Sequence, residues 1–286
     1  MSPIALHLRW SERLLARPRA RVLAGTMTTH RAAWPTGTPA WADITVPDLT
    51  VARAFYGPLL GWEFEVGGPD VGGYTQAFVD GRRVVGLGEP MGTEPAPPPA
   101  WCVYLAADDL AATAARIAEA GGQEIVPAMP IMDFGTMAIF VDTAGAVFGV
   151  WQPGSHTGWD VVEEPGSVVW SEVMVHDQPG ALAFYQRVFG YSVEDLSAPG
   201  FEYASVSLGG SPLAGVGGYG AQAGIDAPAA WTLYFAVTDT DASAAKVTEL
   251  GGTVVSPPTD TPFGRMAIAA GPFGEVFALM GPVVGD

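Results

Sequence analysis

The chain contains itself twice, and that repetition constrains its fold more than any other feature. Trp41-Ala-Asp-Ile-Thr-Val-Pro-Asp48 returns 129 positions later as Trp170-Ser-Glu-Val-Met-Val-His-Asp177. Ala54-Phe55-Tyr56 returns as Ala183-Phe184-Tyr185, and Gly61 as Gly190. At an offset of 130, Trp101, Tyr104 and Asp109 return as Trp231, Tyr234 and Asp239. Phe134-Gly135 with Met137-Ala138-Ile139 returns as Phe263-Gly264 with Met266-Ala267-Ile268. Two like domains follow, at 37–154 and 166–283, joined by a linker at 155–165.

Each half divides again. Trp41–Pro47 alternates in polarity and is rich in strand formers. From Asp48, the spacing of Val51, Ala54, Phe55 and Leu59 predicts a helix that Gly61 ends. Short strands are expected at 62–66, 74–79 and 82–88. After the Pro-rich stretch 95–99 the order recurs: a strand at 101–107, a helix at 109–120, then strands near 123–126, 136–141 and 146–151. Asp108 or Asp109 is a helix cap. The unit is strand, helix, three strands, and it occurs four times. The fold class is α+β, with helices on one face of each mixed sheet and a cup on the other.

Charge narrows the partners. The chain of 286 residues has 13 Lys+Arg against 30 Asp+Glu, a formal net charge of −17. Phosphate backbones and anionic lipid both require a basic surface, so nucleic acid and membrane are not expected partners. No apolar run reaches the roughly 20 residues of a membrane span. One cysteine, Cys102, excludes an internal disulfide framework. A cytoplasmic setting is the default expectation, with the chain a monomer or homodimer. Arg9, Arg13, Arg17, Arg19 and Arg21 cluster near the start. The region 1–36 is read as a disordered leader, with Met27 a second possible start.

The module order and its motifs resemble the vicinal oxygen chelate superfamily of glyoxalases, extradiol dioxygenases and bleomycin-resistance proteins. The resemblance rests on Val46-Pro47-Asp48…Phe55-Tyr56…Leu60-Gly61 and Val175-His176-Asp177…Phe184-Tyr185…Phe189-Gly190. It also rests on the closing turns at Asp142–Gly145 and Gly271–Gly274, and covers nearly all of 37–283. It implies tandem domains with cup-shaped mixed sheets and a divalent metal in a cup. The positions that match the family's ligands hold Trp41, Cys102 and Gly149 in the first half, and Trp170, Thr232 and Ala278 in the second. An indole does not ligate, and Gly and Ala have no ligand atom. No metal and no other cofactor is therefore expected, and glyoxalase or dioxygenase chemistry is put in question. His7, His30, His156 and His176 read as solvated or capping residues. Glu89 lies where some relatives place a carboxylate.

Side chains two apart on a strand share a face. If Trp41 points inward, so does Asp43; Trp170 likewise brings Glu172. Tyr104 and Trp151 join the first cup, and Tyr234 the second. Arg265 has no counterpart in the first half and is either a cup residue facing Glu172 or a solvated strand residue. Aromatic walls with one carboxylate suit a small apolar or cationic molecule. The candidate ligand-binding residues are Trp41, Asp43, Tyr104, Trp151, Trp170, Glu172, Tyr234 and Arg265. Asp43 and Glu172 are also the candidate catalytic carboxylates, as general bases. Three functions stay open: a metal-independent binding protein, an enzyme (lyase, isomerase or oxygenase) with a non-standard site, and an interaction protein whose cups are core. The second cup is slightly preferred, because Glu172 reaches further.

Overall fold

A computed structural model of the chain describes residues 29–90, 97–219 and 227–283. In the first half, β1 (Pro39–Thr45), α1 (Leu49–Leu60), β2 (Glu63–Val66), β3 (Thr75–Val79) and β4 (Arg82–Gly88) form one module. β5 (Trp101–Ala106), α2 (Leu110–Glu119), β6 (Gln123–Ile131), β7 (Gly135–Val141) and β8 (Val147–Pro153) form the next. The second half repeats the order: β9 (Val168–Val175), α3 (Gln178–Phe189), β10 (Ser192–Asp195), β11 (Glu202–Leu208) and β12 (Ser211–Gly218). It closes with β13 (Ala230–Ala236), α4 (Thr240–Glu249), β14 (Thr253–Thr261), β15 (Gly264–Ala270) and β16 (Val276–Gly281).

The repeated Asp that leads each helix has a local cause. The carboxylates of Asp48, Asp109, Asp177 and Asp239 each accept a backbone N–H from the first turn of the helix they precede. That satisfies donors with no intrahelical partner. Gly61 and Gly190 end α1 and α3 in the left-handed region, at φ 72° and 74°, where a side chain is strained.

The modules pair within each half. The two eight-stranded sheets have orders β2-β3-β4-β1-β5-β8-β7-β6 and β10-β11-β12-β9-β13-β16-β15-β14. At the centre of the first, β1 and β5 run antiparallel, with Trp41 opposite Tyr104 and Asp43 opposite Cys102. β4 and β8 flank them in parallel. β6 runs on to Ile131, five residues beyond its expected end, although Pro127 and Pro130 lie in it. β6 is an edge strand, where a missing N–H costs no ladder bond, and its register shifts between Val126 and Met129.

The helix-bearing faces of both halves share one core. Phe55, Tyr56, Phe184 and Tyr185 are all buried, as their helical spacing predicts for core. Tyr56 Oη donates to Glu275 Oε1 across the halves at 2.8 Å, and Tyr185 Oη to Asp142 Oδ2 at 2.9 Å. Trp62 Nε1 donates to the Gly166 carbonyl. Residues 29–36, assigned by sequence to the leader, pack on the linker: His30 stacks on Trp34, and Trp34 Nε1 donates to the Trp159 carbonyl. Residues 1–28, including Met27 and the five leader arginines, lie outside the described residues. Among the described residues, no helix is long and apolar enough to cross a membrane.

Candidate functional site

On the sheet face away from the helices, each half builds the same four-residue network. In the first cup, Trp41 Nε1 donates to Tyr74 Oη at 3.1 Å. Tyr74 Oη donates to Asp43 Oδ2 at 3.3 Å, and Tyr104 Oη donates to the same oxygen at 3.1 Å. In the second, Trp170 Nε1 donates to Tyr203 Oη at 3.0 Å. Tyr203 and Tyr234 then donate to the two oxygens of Glu172 at 2.8 and 2.7 Å. The longer glutamate reaches its tyrosines at shorter distance than the aspartate does.

Glycines on the neighbouring strands make room for these rings. Gly86 lies beside Asp43, and Gly215 beside Glu172. A Cβ at Gly86 would lie 1.7 Å from Tyr74 Oη, and one at Gly215 would lie 2.0 Å from Tyr203 Oη. At Gly149 a Cβ would lie 2.2 Å from Tyr104 Cδ1, so the tyrosine ring covers that backbone.

The two cups differ in access. Glu172 is buried, and Tyr234, Met266, Ile268, Ala278 and Met280 pack into one apolar cluster with Trp170. In the first cup Asp43 is partly buried, as are Cys102, Met137 and Ile139; in the second, Trp170 and Thr232 are partly buried. Met137 lies opposite Trp151 and Ile139 opposite Gly149, so both share the Asp43 face. Burial pushes the Asp43 carboxyl up to about 7, against the lowering effect of its two tyrosine donors. The same burial, with Asp43 charge beside it, pushes the Tyr74, Tyr104 and Cys102 groups up, so none of them ionises near neutrality.

The structure brings Trp41, Asp43, Tyr104 and Trp151 together in one cup, and Trp170, Glu172 and Tyr234 in the other. It does not bring Arg265 into either. Met266 faces the cup, so Arg265, one residue earlier, faces the helices. There Arg265 Nη2 pairs with Asp241 Oδ1 at 2.9 Å and Nη1 with Asp260 Oδ1 at 2.8 Å. Glu89 is no cup residue either: its Oε1 accepts the Leu49 N–H at the start of α1.

Three participants escaped the sequence reading. Tyr74 and Tyr203 carry the same offset of 129 as the tryptophans and the carboxylates, and that offset would have found them. His156 gave no signal, being a lone linker histidine. It is not solvated but 5% exposed, and its ring lies 4.4 Å from that of Trp41 and 5.5 Å from that of Trp151. Its Nδ1 accepts the Gly158 N–H, and burial lowers its pKa to about 4, so it is neutral at pH 7.

The family model described as Glyoxalase/Bleomycin resistance protein/Dioxygenase superfamily matches residues 38–172 and 166–279. The chain belongs to this superfamily. CFP32 of Mycobacterium tuberculosis, provisionally named a glyoxylase, is 35% identical over 257 residues, covering 88% of this chain and 97% of that one. The anthracycline biosynthesis protein DnrV of Streptomyces peucetius is also 35% identical over 257 residues, covering 85% and 93%. The Mn(II)-bound glyoxalase of Novosphingobium aromaticivorans shares the fold with a TM-score of 0.62 at 16% identity, over 86% of this chain and 82% of that one. The 2,3-dioxygenase LapB of Pseudomonas sp. KL28 shares it with a TM-score of 0.61 at 14% identity, over 89% and 93%.

Proposed function

We propose that this superfamily member is a small-molecule-binding protein whose first cup takes a planar, largely apolar ligand without a metal. The observation that carries this reading is the duplicated Trp–Tyr–carboxylate–Tyr network, built on Trp41 and Trp170, which stand at two of the positions that the family resemblance assigns to metal ligands. The six positions that match the family's ligands offer one thiol and one hydroxyl. Trp41 has no lone pair to give and already donates to Tyr74. Gly149 has no side chain and lies under the Tyr104 ring. Among the described residues no three His, Cys, Asp or Glu side chains gather as ligands. This donor set does not fit a divalent cation.

The partly buried Met137, Ile139 and Cys102 supply apolar contact beside Asp43. A ligand hydroxyl or amine donates to the Asp43 carboxylate, and the aromatic wall favours a flat or cationic partner. The name of DnrV supports a polycyclic aromatic class, since that relative belongs to anthracycline biosynthesis. The access of the two cups favours the first over the second.

Calorimetric titration of the full chain with 1,4-dihydroxyanthraquinone and an aminated derivative tests this. Saturable binding, stronger for the amine and weakened about ten- to a hundredfold by Asp43→Asn, is expected for loss of one charge-assisted contact. Absence of binding by both probes, or binding indifferent to Asp43→Asn, contradicts the reading.

One observation favours a second reading, an enzyme of the superfamily. A carboxyl held at about 7 is matched to general acid–base work at neutral pH. On this reading Asp43 takes a proton from a bound hydroxyl or carbon acid, while Tyr104 donates to developing charge. Turnover of such a probe, rising with a pKa near 7 and abolished in Asp43→Asn, separates catalysis from binding alone.

A further inference from the structure

A cavity of about 580 Å³ lies outside both cups, between the turn joining β3 to β4, the linker and the N-terminal segment. Arg31, Arg82 and Arg83 line it, together with the hydroxyl-bearing Ser155 and Thr157. Residues 27–286 hold eight Lys and Arg in all, so three of them meet at one cavity of a chain with net charge −17. Such a concentration is not expected of a solvated acidic surface.

Acidic groups share the wall, and they are spoken for unevenly. Asp160 accepts from the Arg83 backbone N–H at 3.1 Å, from Nε at 3.0 Å and from Nη2 at 3.3 Å. Arg82 Nη2 lies 2.8 Å from Glu164 and 3.5 Å from the exposed Asp80. Arg82 is nonetheless 6% exposed, and its Nε and Nη1 have no hydrogen-bond partner. A guanidinium never sheds its charge, and buried donors without an acceptor are rare. Arg31 is exposed and makes no ion pair among the described residues.

Three guanidinium groups and three carboxylates therefore meet here, with Arg31 and two nitrogens of Arg82 left without an acceptor among the described residues. A phosphate group is the complement: it carries about two negative charges and three strong acceptor oxygens, to which guanidinium and hydroxyl groups bond from several sides. The volume lies within the range of small-molecule sites and exceeds what one phosphate group fills. We infer that this cavity is a second binding site, distinct from the cups, for a small molecule bearing a phosphate monoester. Arg31 and Arg82 hold the phosphate, Ser155 and Thr157 donate to it, and Arg83 stays locked on Asp160 as part of the wall.

Calorimetry of the full chain in low salt with phenyl phosphate tests the site, with inorganic phosphate and phenylacetate as comparisons. One-to-one binding of phenyl phosphate, tighter than either comparison, is expected. Arg31→Ala and Arg82→Gln each weaken it about tenfold or more, as loss of a charge-assisted contact requires. Asp43→Asn, in the first cup, leaves it unchanged. If Arg82→Gln fails to fold because Glu164 loses its partner, Arg31→Ala combined with Thr157→Val carries the test. No heat at millimolar phenyl phosphate, or binding indifferent to Arg31→Ala, overturns the site. Inorganic phosphate or phenylacetate binding as tightly as phenyl phosphate overturns its assignment to a monoester.

Discussion

Asp43 is the residue on which the chemistry of the first cup turns. Its carboxyl titrates at about 7 when folded, against 3.8 as its ordinary value. The folded state therefore binds this proton more tightly than the unfolded chain does. The stabilising contribution is full below about pH 4 and is lost as pH rises through 7. His156 acts oppositely: with a folded pKa near 4 against 6.5, it costs stability only as pH falls below about 6.5. Between pH 6.5 and 8 the two run in opposite directions, so the Asp43 contribution is read as the difference between this protein and Asp43→Asn. By urea unfolding the protein is expected to lose about 1 kcal/mol relative to Asp43→Asn over that window. Equal slopes in the two proteins would remove Asp43 from the account. Trp41 is 4% exposed and tied to Tyr74, so Trp41→Ala is expected to cost about 3–5 kcal/mol by urea unfolding. A cost under about 1 kcal/mol would mean an open, mobile indole instead.

At the scale of elements, the strands and helices were legible because their signals are local. Each helix announces itself by an Asp whose carboxylate caps the first turn, and two of them by a glycine that only a left-handed end requires. The alternation on β1 correctly put Trp41 and Asp43 on one face. What alternation does not show is which face a strand turns to the helices when it carries no such anchor, and for that reason the sequence left Arg265 open between the cup and a solvated strand position. β6 outran its prolines because edge position is a tertiary property, invisible along the chain. Tyr74 lies immediately before β3 and reaches Asp43 only because Gly86 on β4 lacks a side chain. Gly86→Ala is accordingly expected to destabilise by about 1–3 kcal/mol, since a methyl group would lie within bonding distance of the Tyr74 hydroxyl. Chemical denaturation checks this; an unchanged midpoint would show that Tyr74 is free to leave Asp43.

For the whole molecule, duplication explains both what the halves share and where they part. The two sheets meet through one buried core, and each contributes a carboxylate that a tyrosine of the other half holds. Unfolding is therefore expected as a single transition in which fluorescence and circular dichroism coincide; two separated transitions would contradict a shared core. The cups have diverged. The second is filled by methionine and aliphatic side chains around a buried glutamate, whereas the first keeps a partly buried aspartate beside a histidine from the linker. Binding in the first cup without a metal is the central claim. It is tested most directly by tryptophan fluorescence of chelator-dialysed protein titrated with 1,4-dihydroxyanthraquinone, repeated after addition of Mn(II), Fe(II) or Zn(II). The account predicts one saturable quench of equal affinity in every condition. Binding that appears only once a divalent ion is added would contradict it.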